Sequence, residues 1–461
     1  ILKTQAMQLL DLITIFIFAL GIVIMGLSFS GKGRNMKSFF AAGGAVPWLM
    51  SGLSLFMGFF SAGTFVVWGS IAYSLGWIAI SIQWTMAIAG FVVGFFIAPR
   101  WHKTSALTVA EYITRRLGVN TQKTYTYLFL FISLFTTGSF LYPVAKIVEV
   151  STGMPLDLCI LLLGGFCIVY VAAGGLWAVV STDVLQFIIL TAAVLIVVPL
   201  SFGRVGGVVN FIESIPATYF NLVNGEYTIG FIVAFGVYNT IFLGGNWAYV
   251  QRYASVNSQS SARKVGFLFG GLYVVSAVLW MLPPMIYRIV NPSLSTIDAE
   301  GAYLMMCKEV LPAGLLGLML SGMVFATASS LNATLNISSG VVTNDIFKRL
   351  FPQSSDKTLM RVARISTIIF GLLAIIVALL IPLMGGIVNV VISVAALTGV
   401  PLYLPIIWTL FSKRQTEYSV ITTTLVSLGA NAFFKFITPL WGLDTKSRPR
   451  PGIEKIFSTT K

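Results

Sequence analysis

Residues Ser54–Phe65 read SLFMGFFSAGTF, and residues Asn239–Trp247 read NTIFLGGNW. Each stretch lies in an apolar run near the ~20 residues that cross a bilayer. Each carries two glycines at mid-run, Gly58 and Gly63 in one, Gly244 and Gly245 in the other. Glycine weakens a helix and permits backbone angles closed to other residues. Both runs are therefore expected to be helices broken in mid-membrane. The competing reading, close packing of small residues between continuous helices, stays open at this point.

The runs belong to a chain of 461 residues, 57% hydrophobic and 10% charged, with mean hydropathy +0.90. Spans are expected near 8–29, 47–72, 76–99, 124–150, 155–173, 177–202, 228–250, 265–290, 312–342, 363–384, 386–411 and 417–440. This pattern is all-α and polytopic; a membrane β-barrel would show short alternating segments instead. Basic residues gather after spans one, three, seven, nine and eleven, for example Arg100, Arg115, Arg252, Lys348 and Lys413. The net charge of +14 thus follows the positive-inside rule rather than nucleic-acid binding, and it puts the N-terminus outside. The six residues before Met7 are left out of this reading. The tail from Asp444 to Lys461 is basic yet falls on the outer side of a twelve-span count, so either a further helix beyond this sequence is expected, the favoured reading, or the tail is an exception to the rule. Cys159, Cys167 and Cys307 show no disulfide or ligand spacing. His102, the only histidine, sits in the basic loop PRWHK and is expected at the surface.

If span one (7–30) is an extra helix, the broken spans open two five-helix units, 44–202 and 228–411. A further helix at 417–440 and a basic tail at 441–461 follow. Broken first helices in two corresponding units point to inverted repeats around a midplane site.

A third stretch, ATASSLNATLN at Ala326–Asn336, carries hydroxyls and amides in an apolar span. Gly322, Ala326, Ser329, Ser330, Ala333, Asn336 and Gly340 recur at helical spacing and form one small, partly polar face. That face reads either as a tight helix seam or as a seat for a hard cation, which takes oxygen ligands. Hydroxyls from this helix and open carbonyls from a broken one would supply them. Asp183, in AVVSTDVLQF, lies inside a span, where a charge is costly and usually functional. Its other reading is an interfacial acid. Lys146 and Glu149 are spaced to pair with each other and are given no further role.

The motifs SFFAAGGAVPWLMSGLSLF, LTVAEYITRR, AAGGLWAVVSTDVLQ, VQRY and ATASSLN…TNDIF, taken in order, resemble the sodium/solute symporter family over roughly residues 36 to 415. That family includes sodium-coupled sugar, sialic acid, proline and monocarboxylate carriers. The resemblance implies a leucine-transporter-type fold in the plasma (inner) membrane: two inverted five-helix repeats with flanking helices. It implies a sodium site formed by the carbonyls of Met57, Phe60 and Ala326 and the hydroxyls of Ser329 and Ser330. A second sodium would use Asp183 and Asn332, although Ala333 stands where a hydroxyl is expected. Solute positions implied by the resemblance are Phe59, Gly63, Thr64, Gln83 and Asn239; Trp247, Trp280 and Phe242 read either as stacking faces or gates, or as packing. Phe59 and Gly63 replace polar groups that sugar carriers use there. Thr136 and Thr137 occupy the region where sialate-type relatives place an arginine.

These residues together lead to the expectation of sodium-coupled symport of a small neutral sugar or polyol. The alternatives are a carrier of a small carboxylate or amino acid, or a transporter-like sensor. A membrane enzyme would need clustered acids, histidines or an activated nucleophile, and the sequence offers no such set. A passive channel would lack saturation and a sodium requirement.

Overall fold

The computed structural model describes residues 9–30, 46–106, 108–171, 176–295, 298–384 and 386–437. The described residues are overwhelmingly helical. Leu9–Ser30 forms α1. The second expected span is a pair, Trp48–Met57 (α2) and Thr64–Leu75 (α3), separated by residues 58–63. Ile78–Lys103 (α4), Val109–Leu117 (α5), Val119–Thr152 (α6), Leu156–Val171 (α7) and Leu176–Arg204 (α8) follow, then a short Val208–Ser214 (α9).

The second half opens on another pair, Ile229–Gly245 (α10) and Trp247–Ala254 (α11), bent by 59°. It continues with Gln259–Val290 (α12), Ala302–Val310 (α13), Leu315–Val341 (α14), Asp356–Leu380 (α15), Ile387–Thr398 (α16), Leu404–Thr409 (α17) and Glu417–Ala432 (α18). A single π turn, Gly399–Tyr403, joins α16 to α17. The loop helices α5, α9 and α13 are additions to the twelve expected spans.

Among the described residues, six helices are long and apolar enough to cross a bilayer unaided, and the bent pair makes a seventh. The other expected spans contain shorter apolar helices, such as Trp48–Met57, Thr64–Leu75 and Leu315–Thr327. Local chemistry sets many boundaries. Thr108, Thr228, Ser258, Ser355 and Thr416 each accept a hydrogen bond from the backbone of the first turn they precede, capping α5, α10, α12, α15 and α18. Gly153, in the left-handed region at φ +75°, ends α6.

Lipid is as apolar as leucine, so helices in it associate by close packing rather than by hydrophobic burial. The α4–α12 seam shows this. A Cβ at Gly266 would lie 2.5 Å from Gly94 Cα, and one at Gly90 would lie 2.8 Å from Gly270 N, so the two backbones touch. In contrast, α15 presents Ile365, Ile368, Ile369, Leu372, Leu373, Ile376 and Leu380 outward at three- and four-residue spacing. This is the surface expected to meet acyl chains.

The inner ends of the two broken spans are tied together. Ser51 Oγ donates to Arg252 O at 2.9 Å, and Val46 N donates to Ser255 O at 3.1 Å. On the other side of the molecule α1 grips α14: Asp11 Oδ1 accepts from Gly314 N at 2.7 Å and Gly317 N at 3.0 Å.

Candidate ion and solute site

The interruption between α2 and α3 is made without positive φ. Gly58 and Gly63 both hold right-handed helical angles. Phe59 N and Phe60 N both turn back to Phe56 O, and Ala62 N leaves the helix pattern to donate to Thr327 Oγ1 of α14 at 3.2 Å. Thr327 Oγ1 in turn donates to Met323 O at 2.9 Å. Among the described backbone hydrogen bonds outside helices, none ends on the carbonyls of Met57 or Phe60. Both residues are 1% exposed.

The second break differs from expectation. The interrupted residue is Asn246, extended at φ −63° and ψ 128°, whose side chain caps α11 through Ala248 N. Gly244 and Gly245 remain helical and serve packing: a Cβ would meet Ile97 Cδ1 at 2.8 Å and Tyr403 Cβ at 2.5 Å, respectively. The close-packing reading therefore holds for these two glycines, and the break falls one residue beyond them.

Facing the first break, Ala326 and Thr327 are fully buried, and Ser330 Oγ points at Ala326 O, 3.4 Å away. A hydroxyl that donates keeps lone pairs for a cation. Small and polar residues on α14 outside and inside the expected stripe make separate contacts. Gly322 abuts Leu190 of α8, Thr327 reaches the break, and Ser338 Oγ donates to Ser133 Oγ of α6 at 3.1 Å. The side chains of Ser329, Asn332 and Ala333 lie outside the described residues.

Asp183 is 1% exposed and accepts from Ser54 Oγ on α2 at 2.5 Å. With Arg252, Ser330, Thr334, Ser133 and Asn246 it lines a small cavity of about 50 Å³. Arg252 is 5% exposed; its Nη1 donates to Ala248 O at 2.9 Å, and its Nε has no partner among the described atoms. An acid and a base thus share one buried chamber beside the break. His102 is half-buried, with Nε2 2.9 Å from Val256 O. Lys146 and Glu149 pair at 2.9 Å.

A larger cavity, about 170 Å³, lies against both breaks. Phe59, Gly63, Thr64, Gln83, Asn239 and Phe242 all line it. Its wall also holds Trp68, Phe140, Phe235, Tyr238, Tyr249, Tyr273 and Tyr403 and, among the described residues, no charged side chain. Much of its hydrogen-bonding capacity to donate is already used. Thr64 Oγ1 donates to Phe59 O, and Asn239 Nδ2 donates to Thr85 Oγ1 at 2.7 Å. Gln83 is 3% exposed, and its Nε2 lacks a partner among the described atoms.

Two aromatic candidates do not reach this cavity. Trp247 lies stacked on Phe129, with ring centroids 4.4 Å apart, and Trp280 is packed among Phe56, Phe60 and Tyr273. Both are buried core residues whose ring faces are already taken by neighbouring aromatics. The residues missed from sequence, Tyr249 and Tyr403, approach from α11 and from the π turn, whose positions no spacing in the sequence marks.

Residues 39–426 match the profile described as the sodium:solute symporter family. A sodium/glucose cotransporter of Vibrio parahaemolyticus is 29% identical over 93% of this chain and 86% of the relative. A mouse sodium/myo-inositol cotransporter 2 is 26% identical over 92% of this chain and 69% of its own length. Among solved structures, a substrate-bound, outward-open sodium-coupled sialic acid symporter superposes with TM-score 0.72 at 20% identity, covering 94% of this chain and 98% of that one. That likeness shows the leucine-transporter-type fold.

Proposed function

We propose, from the premise that this chain belongs to the sodium:solute symporter family, that it imports a neutral sugar or polyol together with sodium. Membership makes it a multi-pass membrane protein that couples solute movement to sodium. The observation that carries the ion site is the Ala62–Thr327 hydrogen bond. It holds the first break against α14 where Ala326 and Ser330 lie. The proposed sodium ligands are the carbonyls of Met57, Phe60 and Ala326 and the hydroxyls of Ser329 and Ser330; Asp183 and Asn332 are the candidates for a second ion.

The larger cavity supports a neutral solute. A carboxylate there would be a buried charge with no cationic partner among the lining residues, an arrangement that costs several kcal/mol. The apolar rings suit the C–H face of a sugar or cyclitol, Gln83 offers a donor, and Phe242 stands as the proposed gate. Sodium at the break favours the state that is open outward, and solute and sodium then raise each other's affinity by the same factor. One charge crossing ~100 mV supplies about 2.3 kcal/mol. A tenfold sodium gradient adds roughly 1.4 kcal/mol, so one ion supports on the order of a 500-fold accumulation.

The test is uptake into proteoliposomes over a panel of sugars, cyclitols, amino acids and carboxylates, with and without a sodium gradient. The expected result is saturable, sodium-driven uptake confined to neutral polyols or sugars. Ser330→Ala should abolish the sodium response; uptake that keeps that response removes Ser330 from the ion site.

A further inference from the structure

Two cavities stand end to end, and five residues line both: Gly58, Thr136, Phe140, Tyr249 and Tyr403. Four elements place the smaller cavity on the inner side of this wall, in the orientation set by the basic loops. Along the first broken span the smaller cavity takes Ser54 and Gly58 and the larger takes Gly58 through Trp68. On α6 the smaller begins at Phe129 and the larger ends at Pro143. On the second broken span the larger holds Phe235–Phe242 and the smaller Asn246–Arg252. On α14 the smaller holds Ser330, Thr334 and Ile337, toward that helix's inner end.

We infer that Tyr249, supported by Tyr403 and Phe140, is the thin inner gate that separates the solute cavity from the Asp183–Arg252 chamber. This rests on the alternating-access reading above and names a closing residue beyond Phe242. Tyr249 is placed for the role. Its ring lies 4.9 Å from Phe59 and 5.4 Å from Phe242, so it closes against residues on both broken spans. Its Cε1 would lie 3.5 Å from a Cβ at Gly58, an ordinary van der Waals contact, so its ring reaches the first break. Tyr403 is held in the same wall by Asn246 Nδ2, which donates to its hydroxyl at 3.3 Å. The residue that interrupts the second span therefore also positions the gate. Phe242 lines only the larger cavity and backs Tyr249 from the outer side. Straightening or rotating α11 about Asn246 would withdraw Tyr249 from Gly58 and join the two cavities.

The test uses a reporter thiol at Ser139→Cys, which lines only the larger cavity. The natural cysteines Cys159, Cys167 and Cys307 are buried and give a slow background. Inside-out vesicles are treated with a membrane-impermeant thiol reagent, with and without sodium. With Tyr249 present, sodium should slow labelling, because it favours the outward-open state. In Tyr249→Ala, labelling in sodium should rise about tenfold, the scale of a modest coupling free energy. Tyr249→Phe should keep the suppression, since ring bulk and not the hydroxyl makes the barrier. Tyr403→Ala gives an independent route to the same readout if Tyr249→Ala fails to fold. Equal suppression in the alanine variants and the parent overturns the gate. Absence of suppression with Tyr249 in place overturns the sodium-coupled reading together with the gate built on it.

Discussion

The carboxyl of Glu300 is 8% exposed, in the turn Asp298–Gly301 between α12 and α13, and its Oε2 lacks a hydrogen-bond partner among the described atoms. Burial pushes its pKa from the ordinary 4.5 up to about 7; Lys146 opposes the shift and Glu149 adds to it. Tyr142 faces the same pair of acids from α6, and Lys308 of α13 donates to Val150 O at 3.0 Å nearby. A carboxyl with a raised pKa favours the packed state when protonated. Its contribution is present below about pH 4.5 and is lost as pH rises through about 7. The purified protein's melting temperature should therefore fall across that window, and Glu300→Gln should flatten the fall. A second residue shows the conflict between stability and binding. Gln83 Nε2 is a buried donor without a partner, and such a group costs about 1–3 kcal/mol. Gln83→Leu should raise the thermal stability of the solute-free protein and weaken sodium-dependent solute binding. A variant that loses both would show that Gln83 only packs.

At the scale of elements, the seam between α4 and α12 is set by backbone contact at Gly94 and Gly266. Gly266→Ala must push these helices apart, and overpacking of this kind typically costs about 1–3 kcal/mol. Lower detergent-stable yield and an earlier unfolding transition are the expected outcome. Gly271, which has nothing within 4 Å of an added Cβ, is the control position. The clamp of α1 on α14 is testable in the same way. Asp11→Ala removes the acceptor for two amides at the start of α14 and should cost about 1–2 kcal/mol, as losing a helix cap does. The spans themselves were legible because hydropathy reports length and apolar content directly. The site was legible in part. The glycine pair at Gly244 and Gly245 looked like a break because glycine is ambiguous between flexibility and close approach, and spacing alone does not decide which one operates. The better signal was Asn246, a good helix cap directly before Trp247 and Ala248. Trp247 and Trp280 were ambiguous for a related reason: a lone tryptophan in a span carries no mark of which neighbour it faces. Tyr249 was invisible because its role depends on a 59° bend that only three dimensions provide.

For the whole molecule, the inner halves of the broken spans, α2 and α11, are stitched by Ser51 to Arg252 and by Val46 to Ser255. The ion ligands proposed on one break and the gate residue proposed after the other thus sit on the same linked pair. Cutting the stitch with Ser51→Ala should loosen coupling: more sodium would move per solute in proteoliposome flux, while solute counterflow persists. An unchanged ratio would locate the coupling elsewhere. The stitch acts like a rivet at the inner tips of the pair: α11 can still turn about it, and a shift of one tip is carried to the other without passing through the outer ring of helices.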